Sequence, residues 1–288
     1  MKNTLNLFIA FVFAFTLSSC EDVIQVKLDK GNPLVTIDAF VNDMRIQQKI
    51  RLTYTDDYFS KTKNSPILGA TVNIKNTTSG QLFIFTDNNN GDYVFNLLAT
   101  DTIGRVNNNY ELTVIYNGTT YTSTSKLNRT AQIDSLDVTY KEAGAFGGKA
   151  GYIFKFLGFD KPSDVDDFYW IKSYKNGEYF KSGGMNLAFN GAYSAAADGF
   201  PFIPPIAEGI TPFGEVFQKY DICRVEIHSI NLSTYNLLFQ AQAQISNSGL
   251  FATTPENIKT NIISNNEKIK VVGWFCMSAV GVREKVAQ

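Results

Sequence analysis

Histidine is almost absent from this chain, cysteine is scarce, and neither sign of charge is in excess. Of 288 residues, one is histidine and three are cysteine, while 26 Lys and Arg face 27 Asp and Glu. A zinc site built on His228 alone would need carboxylate or cysteine help, and neither Cys-x-x-Cys nor His-Glu-x-x-His spacing occurs. A Ser-His-Asp triad would have to recruit the same His228, and no Gly-x-Ser-x-Gly elbow presents a nucleophile. Gly-x-x-x-x-Gly-Lys is absent, which removes the phosphate-cradling loop. The net charge of −1 leaves no basic field for nucleic acid and no polybasic patch for anionic lipid. No catalytic residue, metal or cofactor is assigned on this basis. Arg224 and Glu226 share the strand face of His228, so the histidine is expected to be solvent-facing or ion-paired.

Only one apolar run is conspicuous, and it is short. Lys2 precedes Leu7–Leu17, which leads into Leu17-Ser18-Ser19-Cys20 and then Glu21-Asp22. A charged start, a short apolar core and small residues before a cleavage point describe a secretory signal rather than a permanent span. The cysteine at that point resembles the lipobox of bacterial lipoproteins, whose thiol is diacylated and whose chain is cut just before it. The resemblance implies that residues 1–19 are removed, that Cys20 becomes a lipidated N-terminus, and that two or more acyl chains hold it to a membrane. Loss of Lys2 would leave 25 cations against 27 anions, a charge of −2. Residues 20–32 read as a tether ending in Gly31-Asn32-Pro33. Cys223 and Cys276 remain; they can pair in an oxidising compartment or stay as inert core thiols, because both lie in apolar strand-like runs.

Phe and Tyr, by contrast, are plentiful at 23 and 14 residues, and they suit short half-buried strands joined by polar turns. Val35, Ile37, Ala39 and Val41 alternate with Thr36, Asp38 and Phe40, and Ile50, Leu52 and Tyr54 alternate with Arg51 and Thr53. Gly69–Ile74, Leu82–Phe85 and Tyr93–Phe95 follow as strands, with turns at Asn76–Gly80 and Thr86–Asp92. Tyr110, Leu112, Val114 and Tyr116 alternate before Asn117-Gly118, a hairpin signal. Short strands at this spacing predict an Ig-like β-sandwich over residues 33–130.

Residues 131–288 read as a second β-rich domain. Leu136–Tyr140, Tyr152–Phe159 and Phe168–Tyr174 are strands, Asn176-Gly177 is another hairpin turn, and Val225, Ile227 and Ser229 alternate opposite Arg224, Glu226 and His228. Residues 183–215 are rich in Gly, Ala and Pro and read as a long irregular loop. One main helix is predicted near 233–246, capped by Ser233 or Thr234, with Leu238, Ala241 and Ile245 on its inner face and Gly249 as its stop. Ile269–Met277 closes the chain as a strand. The fold class is mainly β with one main helix.

Gly69-Ala70-Thr71-Val72-Asn73-Ile74, then Thr86-Asp87 with Gly91, Tyr93 and Phe95, resembles the carboxypeptidase-regulatory-like (transthyretin-like) sandwich. Across nearly all of the mature length the sequence resembles a family of Bacteroidota surface lipoproteins catalogued as domain of unknown function 4249. The matching parts are the lipobox, Pro33–Val41, Gly69–Ile74, Ile133-Asp134-Ser135-Leu136 and the segment Phe251–Phe275 with Thr254-Pro255-Glu256-Asn257. This resemblance implies an outer-membrane lipoprotein, often encoded beside a TonB-dependent β-barrel receptor, at the cell surface or on the periplasmic face. It supplies no catalytic residues.

Other clusters carry weaker chemistry. Asp56-Asp57 and Asp164-Val165-Asp166-Asp167 sit in polar loops, where Asp fits turns for its own reasons, and the latter is the better calcium candidate. Asp87–Asp92 reads as a hairpin turn rather than an EF-hand, since Gly91 falls fifth instead of sixth. Tyr193, Phe200, Phe202 and Phe213 in the Pro-rich loop form a candidate ligand or partner surface, because aromatic rings combine apolar area with recognition geometry. Phe168-Tyr169-Trp170 is expected to be core. Asp101-Thr102-Ile103 and Asp134-Ser135-Leu136 resemble the O-glycosylation triplet of Bacteroidota exported proteins, which makes Thr102 and Ser135 candidate acceptors. The expected role is a non-catalytic binding or accessory lipoprotein of a TonB-dependent system. The alternatives are a free-standing surface adhesive or glycan/peptide-binding module, and a hydrolase with a noncanonical carboxylate site.

Overall fold

Alternation sets the first strands. In β1 (Val35–Asn42) the side chains of Val35, Ile37, Ala39 and Val41 are buried while their neighbours are not. The computed structural model describes residues 31–57, 60, 62–97, 102–144, 148–162, 165–180, 184–189, 199–247 and 259–288. Cys20, Tyr193 and Asp164 lie outside the described residues. Six further strands follow in the first half: β2 (Gln48–Tyr54), β3 (Thr71–Asn76), β4 (Leu82–Asp87), β5 (Asp92–Phe95), β6 (Asn109–Tyr116) and β7 (Thr119–Lys126). The β6–β7 hairpin turns on Asn117 and Gly118, both at positive φ (47° and 75°), the pair that a two-residue turn between twisted strands demands.

The second half holds β8 (Gln132–Lys141), β9 (Gly151–Phe159), β10 (Phe168–Lys175), β11 (Glu178–Tyr179), β12 (Asn186–Phe189) and the short α1 (Pro204–Glu208). Then come β13 (Ile222–Ile230), α2 (Leu232–Ile245), β14 (Ile263–Ser264), β15 (Val271–Ser278) and β16 (Val280–Val286). The protein is mainly β, as its composition predicts.

The largest sheet has nine strands in the order β14-β7-β6-β3-β4-β5-β2-β1-β15. β4 turns the corner: residues 82–85 pair with β3, whereas Thr86 and Asp87 pair with β5. The two ends of the sheet then approach each other. Met277 N on β15 donates to Ser125 Oγ on β7 at 2.9 Å. Asn261 ties the same two strands, with its carbonyl accepting from Ser123 Oγ and its side chain bonding both backbone groups of Phe275. The result is a nearly closed, barrel-like sheet around one apolar core, in which Ile37, Ile50, Leu52, Ile74, Tyr93, Tyr110, Leu112 and Phe275 are all at 0% exposure. Each such side chain contributes about 1.5–3 kcal/mol relative to an exposed one.

This sheet corrects the predicted division at residue 130. β14 and β15 come from the far end of the chain, and β15 lies parallel to β1 from Val35↔Val271 to Asn42↔Ser278. Residues on both sides of position 130 therefore build one core, and Pro33–Gln288 form one unit.

The second sheet runs β11-β10-β13-β16, with β12 also on β10. β8 and β9 form a two-stranded sheet of their own and pack across its inner face, where Phe154 and Phe156 meet Ile171, Val225 and Ile227. Arg283 and Lys285 on β16 donate to the carbonyls of Asp134 and Leu136 on β8, fastening the layer. β16 was not anticipated, and the described parts of the predicted 183–215 loop, residues 184–189 and 199–215, carry β12 and α1. α2 forms where the helix was expected, but its cap is Asn231, whose Oδ1 accepts from Thr234 N at 2.8 Å. Thr234 is instead fully buried and accepts from Trp274 Nε1. Leu238 faces inward as predicted, whereas Ile245 is 72% exposed because the helix packs through its first half. Gly249 lies outside the described residues.

Candidate functional site

β13 carries two unlike faces. Cys223, Val225 and Ile227 point into the core under β8 and β9, while Arg224, Glu226 and His228 point to the other side. That polar face is not bare, because the connection between β1 and β2 lies against it. A cleft of about 500 Å3 opens there, walled by Asn42, Met44 and Ile46 on one side and by Lys172, Tyr174, Arg224 and Glu226 on the other. Gln48, 2% exposed, holds the β1–β2 connection rigid by exchanging bonds with Asn42 and donating to the carbonyls of Met44 and Ile46. Asp43 fixes the same connection to the far strands, donating its N–H to Ser278 O and accepting from Val280 N.

Glu226 is the hub. It is 4% exposed, and its oxygens accept from Arg224 Nε (2.8 Å), Tyr174 OH (3.0 Å) and His228 Nε2 (2.9 Å). Burial alone would raise its pKa, but the bonds from His228 and Arg224 outweigh burial and hold it down at about 2. His228, 5% exposed, is pushed down to about 4 by burial, and Lys172 adds to that effect while Glu226 opposes it. At neutral pH the ring is therefore uncharged. Because the carboxylate can only accept, Nε2 carries the proton and Nδ1 is left to accept from Ser278 Oγ at 3.3 Å. Tyr174 is raised by burial and by the Glu226 charge.

Arg224 completes the network. Its Nη1 donates to Glu284 on β16 at 2.9 Å, and among the described residues its Nη2 reaches only the sulfur of Met44 at 3.6 Å. Lys172 lies opposite Glu226 in the β10–β13 register, yet its Nζ rests over the Trp170 ring, 3.8 Å from the centroid. Burial pushes this ammonium down to about 8, against the pull of Glu226 and Asp38.

Ser278, His228 and Glu226 stand in the order of a catalytic triad, and that order invites a nucleophilic reading. Two features weigh against it. Ser278 is 6% exposed and does not line the cleft, and an imidazole held near 4 is a weak base at neutral pH. The arrangement suits a fixed polar scaffold that orients the cleft.

Over residues 21–284 the chain matches the family model described as domain of unknown function (DUF4249). It belongs to that family. No curated protein matches it. Among the described residues, no helix is long and apolar enough to cross a membrane.

The sequence-predicted residues of this DUF4249 protein scatter rather than converge on the cleft. Phe202 is turned into the core, 5.3 Å from Phe156 and 5.5 Å from Tyr169, so it does not line a surface groove. Phe200 is 60% exposed, and Phe213 is wholly exposed on the turn Pro212–Glu215. Tyr169 is buried, as expected of a core residue, while Phe168 and Trp170 are half-buried beside α2 and β1. Cys223 and Cys276 are free thiols in separate clusters, so the disulfide is not formed. Burial pushes Cys223 up to about 12 and Cys276 up to about 11, which makes both inert. Thr102 is half-buried and its hydroxyl donates to Asp43 O at 2.8 Å; Ser135 is half-buried at the bulge where the β8–β9 register shifts.

The carboxylate clusters are also committed locally. Asp56 accepts from Ser60, Thr62 and its neighbour's N–H. Asp87 accepts from Gly69 N and Asn89 N, which is the hairpin role expected of it. Asp167 is 5% exposed and paired with Arg129 at 2.6 Å, and no group of His, Cys, Asp or Glu able to hold a metal occurs among the described residues. The cleft itself was missed, because its residues come from β1, β10, β13 and β16 and no local motif joins them. The one available signal was the unbroken polar alternation Arg224, Glu226, His228 on a strand apolar on its other side.

Proposed function

We propose that this protein is a lipid-anchored component of the outer membrane that binds its ligand without transforming it, and that it serves a TonB-dependent transport system. Its location rests on Leu17-Ser18-Ser19-Cys20 with the preceding apolar run. The observation that carries the binding role is the Glu226 hub. Arg224, Tyr174 and His228 are all bonded to Glu226, with Glu226 ionised and His228 neutral, so these groups hold a shape rather than stand ready to move protons. In the same reading the first sheet is a carboxypeptidase-regulatory-like fold and the family is one of Bacteroidota surface lipoproteins. The lipid test is direct. Cys20→Ser should abolish incorporation of labelled fatty acid and release the protein from the membrane fraction, whereas unchanged labelling and fractionation would contradict the anchor.

A hydrolase is the second reading, and the Ser278–His228–Glu226 order is the observation that favours it. A fluorophosphonate probe separates the two. The binding role expects no labelling of Ser278 in the native protein, and labelling lost in Ser278→Ala would establish the hydrolase instead.

A further inference from the structure

Three hydrogen-bond donors on the cleft walls lack an oxygen acceptor among the described residues. The Lys172 ammonium has only the Trp170 ring beneath it. Arg224 Nη2 has only the Met44 thioether, a weak acceptor. Asn42 spends its Oδ1 on Met44 N and Gln48 Nε2, which leaves its Nδ2 pointing at no protein oxygen. The acceptors nearby are largely used: both Glu226 oxygens are taken, and Glu284 holds Arg224 through Oε1. Between these donors the lining is apolar, from Met44, Ile46 and Ile222. Ile46 and Ile222 are 50% and 43% exposed, so apolar surface stands open beside unused donors.

We propose that this cleft is a binding site for a small organic carboxylate that carries an aliphatic or aromatic group, its oxygens held by Lys172, Arg224 and Asn42 and its apolar part laid on Met44, Ile46 and Ile222. A carboxylate suits the site because it supplies up to four acceptor positions and no donors. Its charge also answers an ammonium that no carboxylate pairs directly. A cationic or neutral polar ligand would find few free acceptors. The rigid Gln48 and Asp43 contacts mean that the wall is preformed, so little ordering is needed on binding. The volume of about 500 Å3 lies in the range of small-ligand pockets.

The charged and titratable groups facing Lys172 are Arg224, Glu226 and His228 from β13, Tyr174 on its own strand, Asp38 on β1, Cys276 on β15 and Glu284 on β16. His228 and Cys276 are neutral from pH 6 to 9, and Glu226 stays ionised there. The pH dependence of binding in that range should therefore follow Lys172 alone, with affinity falling about tenfold per unit once the pH exceeds about 8.

This inference rests on the cleft as a binding surface and is independent of lipid anchor and transporter. Calorimetric titration of the full chain in detergent with N-acetyl-leucine at pH 7 should show saturable one-to-one binding. Lys172→Met should weaken it about tenfold or more, while Lys172→Arg keeps most of it. Asn42→Asp gives a second handle: it preserves the acceptor that holds Met44 N and Gln48 yet replaces the free donor with a repelling oxygen, so it should weaken binding while the melting temperature stays near that of the parent. Absence of saturable binding, equal affinity in Lys172→Met, equal binding of leucinamide, or displacement by sulfate at equal concentration would each overturn the proposal. Failure here with a transporter still co-purifying would leave the accessory role standing, and the converse holds as well.

Discussion

Acid acts on the buried cluster through its one histidine. In the unfolded chain His228 takes up a proton near pH 6.5, whereas in the folded protein burial delays that proton to about pH 4. Between those values the unfolded state binds more protons, so stability falls as the pH is lowered, by about 1.4 kcal/mol per unit and on the order of 3 kcal/mol across the window. Above pH 6.5 this contribution is whole. Glu226 extends the trend, since its pKa is depressed from 4.5 to about 2; its contribution is complete above 4.5 and is lost as the pH falls toward 2. Urea unfolding at pH 7, 6, 5 and 4.5 measures the slope. The parent should lose about 2–3 kcal/mol from pH 7 to 4.5. His228→Gln, which keeps a donor for Glu226 but cannot titrate, should lose distinctly less over the same interval. Equal slopes in the two proteins, or a histidine ring that titrates near 6.5 by NMR in the folded state, would refute the reasoning.

The other predictions concern packing and reactivity. Gly273 has φ +112°, and a Cβ there would sit 2.0 Å from Ile37 O across the β1–β15 pairing, so Gly273→Ala should cost more than about 3 kcal/mol; a melting temperature within two degrees of the parent would contradict this. Arg129→Ala strands the buried Asp167 carboxylate and should cost about 3 kcal/mol in urea unfolding, with part of the loss recovered when Asp167→Asn is added. Cys223 and Cys276 should resist iodoacetamide in the native protein and react fully in urea without reductant, whereas a 2 Da mass gain on reduction would reveal a bond between them.

The sequence made strands and turns legible wherever the cause was local. Ile37, Ala39 and Val41 alternate because one face of β1 is core, and Asn176-Gly177 turns because both residues reach positive φ. What lay hidden was partnership. A period of two says which side of Val271–Ser278 is buried but not that its neighbour is β1, more than two hundred residues earlier. β16 escaped notice because an edge strand bearing Arg283, Glu284 and Lys285 shows solvent a charged surface and weak alternation. His228 was expected to be solvent-facing or ion-paired, whereas it is buried and neutral, hydrogen-bonded to Glu226 on its own strand and to Ser278 arriving on β15. Phe202 misled because aromatic residues in a Pro-rich stretch read as surface, whereas the bridge Phe159↔Pro201 carries Phe202 into the core and leaves Phe200 outside.

The measurement that tests the central claim most directly is a mild-detergent pull-down of the tagged protein from its native membrane, with mass spectrometry of what accompanies it. The account predicts a β-barrel receptor recovered near one-to-one, together with a diacylated N-terminal peptide beginning at Cys20. Recovery of the protein alone, with an unmodified N-terminus, would contradict it.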